Sequence, residues 1–348
     1  MSHDIENKNG VDSFAFMGER SEIWHRLGQQ MTVDSTREQW DVASGHNYEV
    51  VKVPAVAAFN GEEFSHFPDD RRFIQSDYFL LARRDNGHIF APVTNSYKPV
   101  QPSQIDDWFD AYIAHDDRFR KDAAGTLGDG ERIWTTARFD HDMTVAGDTI
   151  IPRLLGSTSY DATMATRCEA TTTRAICKNT LRAAWADAKA VIKTTHRTTF
   201  DGARVRRELA QIVQSFDAFK AMGDAMAQVS VTEKETGKFL RDLLDIPMDA
   251  MRKDISTRTQ NIVADLERDI RVTLHERNTN NPDLWCLLNG VTRYTDHDRS
   301  VRTDSGARDV GAARFDAATF GAGDALKGKA IGLLLPMLPD RDKVLIPV

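Results

Sequence analysis

The stretch RCEATTTRAICKNTL, residues 167–181, decides how this chain is read. Its first part alternates, with Cys168, Ala170, Thr172, Arg174 and Ile176 on one side of an extended chain and Arg167, Glu169, Thr171, Thr173, Ala175 and Cys177 on the other. Neither side has the large apolar residues of an ordinary core strand. The stretch then reaches Asn179 and Thr180, both good helix caps. Beyond them Leu181, Ala184, Trp185, Ala188, Val191 and Ile192 fall at helical spacing. Lys178, Arg182, Lys189 and Lys193 recur at four, seven and four residues, which aligns them on the remaining surface. The expectation is a strand feeding a helix with a basic stripe.

Two more β-like runs precede it, at 131–139 and 149–160, with breaks at Ala146-Gly147-Asp148 and near Tyr160-Asp161. With 163–177 they form a short-looped antiparallel meander. In the first run Arg132, Trp134, Thr136 and Arg138 share a side, a mixture that offers guanidinium to phosphate and indole to a base. The competing reading packs Trp134 against a helix and sends the arginines to solvent.

Charge sharpens the choice. The chain has a formal net charge of -7, yet from Arg167 to Arg207 ten Lys/Arg, Arg197 among them, stand against three acids. A solvated face is normally mixed in sign, so a segment of +7 inside an acidic chain points to phosphate or to an acidic partner.

Upstream, the first forty residues read as an irregular arm with WHRLG (24–28) as its one dense feature. YEVVKVPAVAAF (48–59) is β-like, and RFIQSDYFLLARRDNGHIFAPV (72–93) is a hairpin turning at Asn86-Gly87. Ser103 caps a helix that turns Ile105, Trp108, Phe109, Tyr112 and Ile113 inward. Downstream, Val205 to Met226 keep a helical period, and Thr232 to Glu235 is a capping box. Ile262, Leu266 and Ile270 mark another helix, and a further one starts at Asn281-Pro282 with Trp285, Leu288 and Val291 inward. Residues 300–325 read as loop. The expected architecture is α+β: an arm over 1–40, a β-β-β-α core of antiparallel meander and packed helices with the basic helix over 41–200, and a mainly helical region over 201–348.

Several activities find no residues to carry them. No G-x-S-x-G, H-E-x-x-H or G-x-G-x-x-G is present. GDALKGKA (323–330) has the outline of a phosphate-binding loop, but Ala330 stands where Ser or Thr would hold magnesium, so a helix start is expected there. Cys168, Cys177 and Cys286 have no metal spacing and read as reduced buried thiols. TDHD (295–298) offers Asp296, His297 and Asp298 to a metal, with His25 or His141 as distant partners, against the plainer reading of a solvated helix end. The longest apolar run, AIGLLLPML (330–338), is too short to span a bilayer, and a cytoplasmic protein without a cofactor is expected.

WHRLG (24–28), VTNSYKPVQPSQ (93–104), AGTLGDGERIWTTARF (124–139), TRAICKNTL (173–181), THRTT (195–199), NGVTRYTDHDR (289–299) and TFGAGDALKGKA (319–330) together resemble the phage/plasmid-like protein family, a domain of unknown function common in prophages and mobile elements. The meander-then-helix order is also similar to the core of phage single-strand annealing proteins of the Redβ, RecT and Erf class. That topological resemblance implies a homo-oligomeric ring or filament that binds single-stranded DNA without a nucleotide cofactor. The expected phosphate contacts are Arg132, Arg138, Arg167, Arg174, Lys178, Arg182, Lys189, Lys193 and Arg197, with Trp134 stacking. The alternatives are a metal-dependent phage nuclease using Asp296, His297 and Asp298, and an accessory protein that binds a host protein.

Overall fold

The computed structural model describes residues 5–19, 27–59, 65–66, 68, 73–114, 117–174, 180–182, 191–194, 216–300, 318 and 321–339. In chain order the strands and helices are β1 (Asn7–Lys8), β2 (Val11–Asp12), β3 (Phe14–Phe16), β4 (Gln29–Gln30), α1 (Arg37–Ser44), β5 (Val50–Ala58), β6 (Phe73–Arg83), β7 (Ile89–Val93) and α2 (Pro102–Ile113). There follow β8 (Phe119–Leu127), β9 (Arg132–Phe139), β10 (Met143–Val145), β11 (Asp148–Ser159), β12 (Thr166–Arg174), β13 (Thr180–Arg182) and β14 (Val191–Thr194). The rest is helical: α3 (216–227), α4 (Glu233–Leu243), α5 (Thr257–Glu276), α6 (Leu284–Arg293) and α7 (Ala322–Leu334).

The large sheet runs β13-β12-β11-β9-β8-β3-β4, with β10 on β11 and β14 also on β12. Its pairs are antiparallel except β3 with β4. The expected meander is therefore present as β9, β11 and β12. A separate sheet, β5-β6-β7, is built on the hairpin at Asn86-Gly87, where Gly87 takes φ +75° and its N–H donates to Arg83 O at 2.9 Å.

Helix α2 lies on one face of the large sheet. Its Trp108 and Phe109 pack with Ala137, Leu154, Cys168 and Ala170. Phe109 comes so close to Gly156 that a Cβ there would collide with the ring, which explains a glycine inside a twelve-residue strand.

The helical region has its own apolar core, which includes Phe219, Met222, Phe239, Leu266, Ile270, Trp285, Val291 and Leu334. Helix α4 begins as the sequence indicates, whereas α6 begins at Leu284 rather than at Asn281-Pro282. Thr232 and Glu235 form the reciprocal capping box of α4, and Asp283 accepts from Cys286 N at 2.7 Å to cap α6. Val145 and Ile150, at the tip of the β10–β11 hairpin, also belong to this core. There Trp285 Nε1 donates to Asp148 Oδ2 at 2.8 Å and Arg277 Nη2 to Ala146 O at 3.3 Å.

Three expectations change. The N-terminal arm contains β1 to β4 and the start of α1, whose capping box uses Thr36 and Gln39. Residues 180–182 and 191–194, expected in the basic helix, are strands β13 and β14 paired with β12. Thr180, Val191, Ile192 and Thr194 are β-branched, and β12 provides ladder positions for them. Finally, β8 corresponds to none of the β-like runs read from the sequence, yet it is a nine-residue strand in the middle of the sheet.

Candidate nucleic-acid interface

Register brings basic residues from distant parts of the sequence into rows. Arg120 on β8 is directly opposite Arg138 on β9, which is directly opposite Arg153 on β11. The row continues through Thr171 on β12 to the backbone position of Arg182 on β13. A second row passes from Trp134 through Ser157 and Arg167 to the position of Lys193 on β14. Like charges directly opposite one another on adjacent strands destabilise a sheet by about 0.2–1 kcal/mol per pair, so a row of three arginines needs counter-charge.

Three carboxylates supply part of it. Arg120 Nε lies 3.5 Å from Asp140, Arg138 Nη2 donates to Asp142 at 2.9 Å, and Arg153 Nε donates to Asp122 at 2.6 Å. Asp122 reaches Arg153 because the register shifts between Lys121 and Ala123 and leaves it as an extra residue in β8. The donors are still not exhausted. Arg138 Nε and Arg153 Nη1 are buried with no hydrogen-bond partner among the described residues. A buried donor left open costs about 1–3 kcal/mol.

The row borders a groove of about 470 Å³ whose lining includes Arg37, Trp40, Lys121, Asp122 and Arg138. Lys121 sits 4.9 Å over the Trp40 ring and 3.2 Å from Asp110, which also pairs with Arg37 at 2.7 Å. Beneath it, His46 Nδ1 and Asp106 are 2.6 Å apart and fully enclosed. Burial opposes ionisation of Asp106, but His46, Lys121 and Arg37 outweigh it and hold the carboxyl below its ordinary range.

The residues expected from the sequence have different fates. Arg138 lies in the row, and Arg132 binds Asp161 at 3.4 Å and Thr163 at 3.1 Å. Trp134 is 6 % exposed and tilts against Phe14 with 5.5 Å between ring centroids, so its indole is a core group and leaves no open face for a base. Arg167, Arg174, Arg182 and Lys193 occupy strand positions on β12, β13 and β14. Lys178, Lys189, Arg197 and His25 lie outside the described residues. Arg120 and Arg153 were not singled out from the sequence. Their only signal was pairing with Arg138, which needs the register.

TDHD folds as a π-helical turn, Tyr294–Asp298, and its acids diverge. Asp296 meets the buried Lys327 of α7 at 2.5 Å, while Asp298 turns to Arg268 of α5 at 3.1 Å. They do not converge on one ion; Asp296 is drawn inward, while Asp298 stays exposed at the helix end. Asp269, 1 % exposed, stands beside Asp298; burial and that neighbouring carboxylate push it up to about 7. Among the described residues, the three-donor group with metal-ligand spacing is elsewhere, at His88, Asp129 and Glu131. GDALKGKA lies within α7, with Lys329 on Asp245 at 2.7 Å, so it is not a phosphate-cradling loop. Among the described residues no helix is long and apolar enough to cross a membrane.

A family model described as a domain of unknown function, DUF932, matches residues 90–319, from β7 through the sheet and into the helical region. No curated protein and no solved structure matches the chain.

Proposed function

The chain belongs to the DUF932 family, whose description assigns no activity, and from its own residues we propose that it binds single-stranded DNA across the arginine-bearing strands of the large sheet. The observation that carries this reading is the row Arg120–Arg138–Arg153 with two buried guanidinium donors left open. Strands are about 4.8 Å apart, so the row from β8 to the Arg182 position on β13 runs about 19 Å across the sheet. That is a track for several successive phosphates. Phosphate takes guanidinium bidentately, and binding would exchange the single-donor ion pairs with Asp140 and Asp142 for bidentate ones.

The density of basic residues from 167 to 207 supports extension of the same surface. Because Trp134 is buried, the reading rests on phosphate and assigns no stacking residue. Strand annealing by a homo-oligomer is the form we favour, since many copies of one modest site cover a long strand without a nucleotide cofactor.

The test is a fluorescence-anisotropy titration of labelled single-stranded and duplex DNA at several salt concentrations, with and without magnesium, followed by electrophoresis of the DNA. Salt-sensitive binding that prefers the single strand is expected, weakened in Arg138→Gln. Absence of binding to both DNAs at low salt sinks the reading, and cleavage with magnesium turns it into a nuclease. Light scattering should then show a higher homo-oligomer.

A further inference from the structure

Two hairpin turns meet below the β5-β6-β7 sheet. The β6–β7 turn ends in His88, and the β8–β9 turn carries Asp129 and Glu131. Each of the three offers one donor atom, and these atoms lie within 4.8 Å of one another. We propose that His88, Asp129 and Glu131 form a site for a divalent transition-metal ion of the zinc or manganese type.

The spacing suits such an ion. His88 Nε2 is 3.2 Å from Glu131 Oε1, and two ligands bonded at 2.0–2.1 Å in a tetrahedral site are about 3.3 Å apart. Asp129 Oδ2 lies 3.9 Å from the other ring nitrogen, on an exposed side chain that needs only rotation to join them. One imidazole with two carboxylates suits zinc or manganese better than calcium or magnesium, which prefer oxygen alone.

The carboxylate turn is held in place without an ion. Arg83 Nη1 donates to Asp129 O at 3.0 Å, Tyr48 Oη to Gly130 O at 2.8 Å, and Tyr160 N to Glu131 O at 2.7 Å. Gly130 has φ +102°, and a Cβ there would come within 2.9 Å of the Arg83 guanidinium, so the turn closes this tightly only with glycine. Asp129 N donates to Glu131 Oε2, which leaves Oε1 for His88. On the opposite side, Phe90 meets the His88 ring edge-on at 5.2 Å. A backbone locked this way leaves mainly the Asp129 side chain to be ordered when an ion binds.

Charge makes an independent case. Arg83 and Lys8 are engaged by Glu6 and Asp85. Among the described residues Asp129 and Glu131 therefore face His88 alone. A divalent ion would balance the two carboxylates. The site opens to solvent, with Asp129 74 % exposed, so an ion can enter and keep water in its remaining positions.

The test uses the full chain after chelator treatment, titrated with zinc chloride against a chromogenic zinc indicator and with manganese chloride by calorimetry. One equivalent of zinc or manganese should be taken up, lost in His88→Ala and weakened at least tenfold in Asp129→Asn, with the ion raising Tm of the wild type only. The proposal is overturned if the wild type takes up neither ion, or if His88→Ala keeps the equivalent. Should His88→Ala fail to fold, the exposed Asp129→Asn decides, and wild-type affinity for the ion in that variant overturns the proposal. No outcome depends on DNA binding.

Discussion

Arg83 and the Arg138–Arg153 pair are arginines withdrawn from solvent in the same half of the molecule, yet their surroundings are finished differently. Arg83 has Asp85 on Nε and Nη2, Glu6 and Asp129 O on Nη1, and the Tyr48 ring against its face at 3.9 Å. Its role is to join the N-terminal segment to two hairpins. Arg138 and Arg153 have one carboxylate each and an open buried donor each. An arginine that serves the fold is satisfied within the fold, and one that is left incomplete is adapted to something outside it.

This contrast orders the expected effects of mutation. Arg83→Leu should be the most damaging, because it leaves Glu6 buried without its partner; breaking a buried pair costs about 3–5 kcal/mol. Urea denaturation checks this, and a loss below about 1 kcal/mol would break the contrast from the structural side.

Asp269 is the helical region's own buried acid, beside Asp298 and 3.6–3.7 Å from Arg268 and Arg293. Its folded pKa of about 7 lies above the ordinary value near 3.8, so between those values the folded state holds a proton that the unfolded chain has released. Stability should therefore fall as pH rises from about 4 to 7, by at most about 1.4 kcal/mol per unit, and level off above. In Asp269→Asn that slope should flatten. An unchanged slope would show that the carboxyl does not hold the proton.

The arginines of the row make the opposite prediction to Arg83. Arg138→Gln with Arg153→Gln should change stability by less than about 1 kcal/mol, since the substitution also removes a like-charge pair. It should lower the log-log salt slope of single-strand binding by roughly 0.7 per lost contact. The smallest effect reverses sign. Asp140→Asn and Asp142→Asn free Arg120 and Arg138 from exposed pairs worth about 0.2–1 kcal/mol, so DNA affinity should rise, by up to about fivefold. Weaker binding in those two variants would mean that the carboxylates hold the arginines in place.

Local chemistry was legible in the sequence. The Asn86-Gly87 hairpin, the Thr232–Glu235 capping box and the stripe of Ile262, Leu266 and Ile270 were each readable because a few neighbouring residues set the backbone. Where the signal was shared between periods, the reading failed. Leu181, Val191 and Ile192 fit a helical stripe, but 180–182 and 191–194 pair with β12. Strand β8 was obscured by Arg120, Lys121 and Asp122 in its first half and small residues in its second. The arginine row was illegible for a stronger reason. Its members are 18 and 15 residues apart, and only strand register makes them neighbours.

The β10–β11 hairpin has a consequence for dissecting the protein. Its tip places Val145 and Ile150 in the helical core and ties Asp148 to Trp285, so a fragment ending near residue 200 would carry an exposed plug and a fragment starting there an empty socket. Each piece made alone should be aggregation-prone. Made together, the two should find each other without a covalent link, as halves of one folding unit.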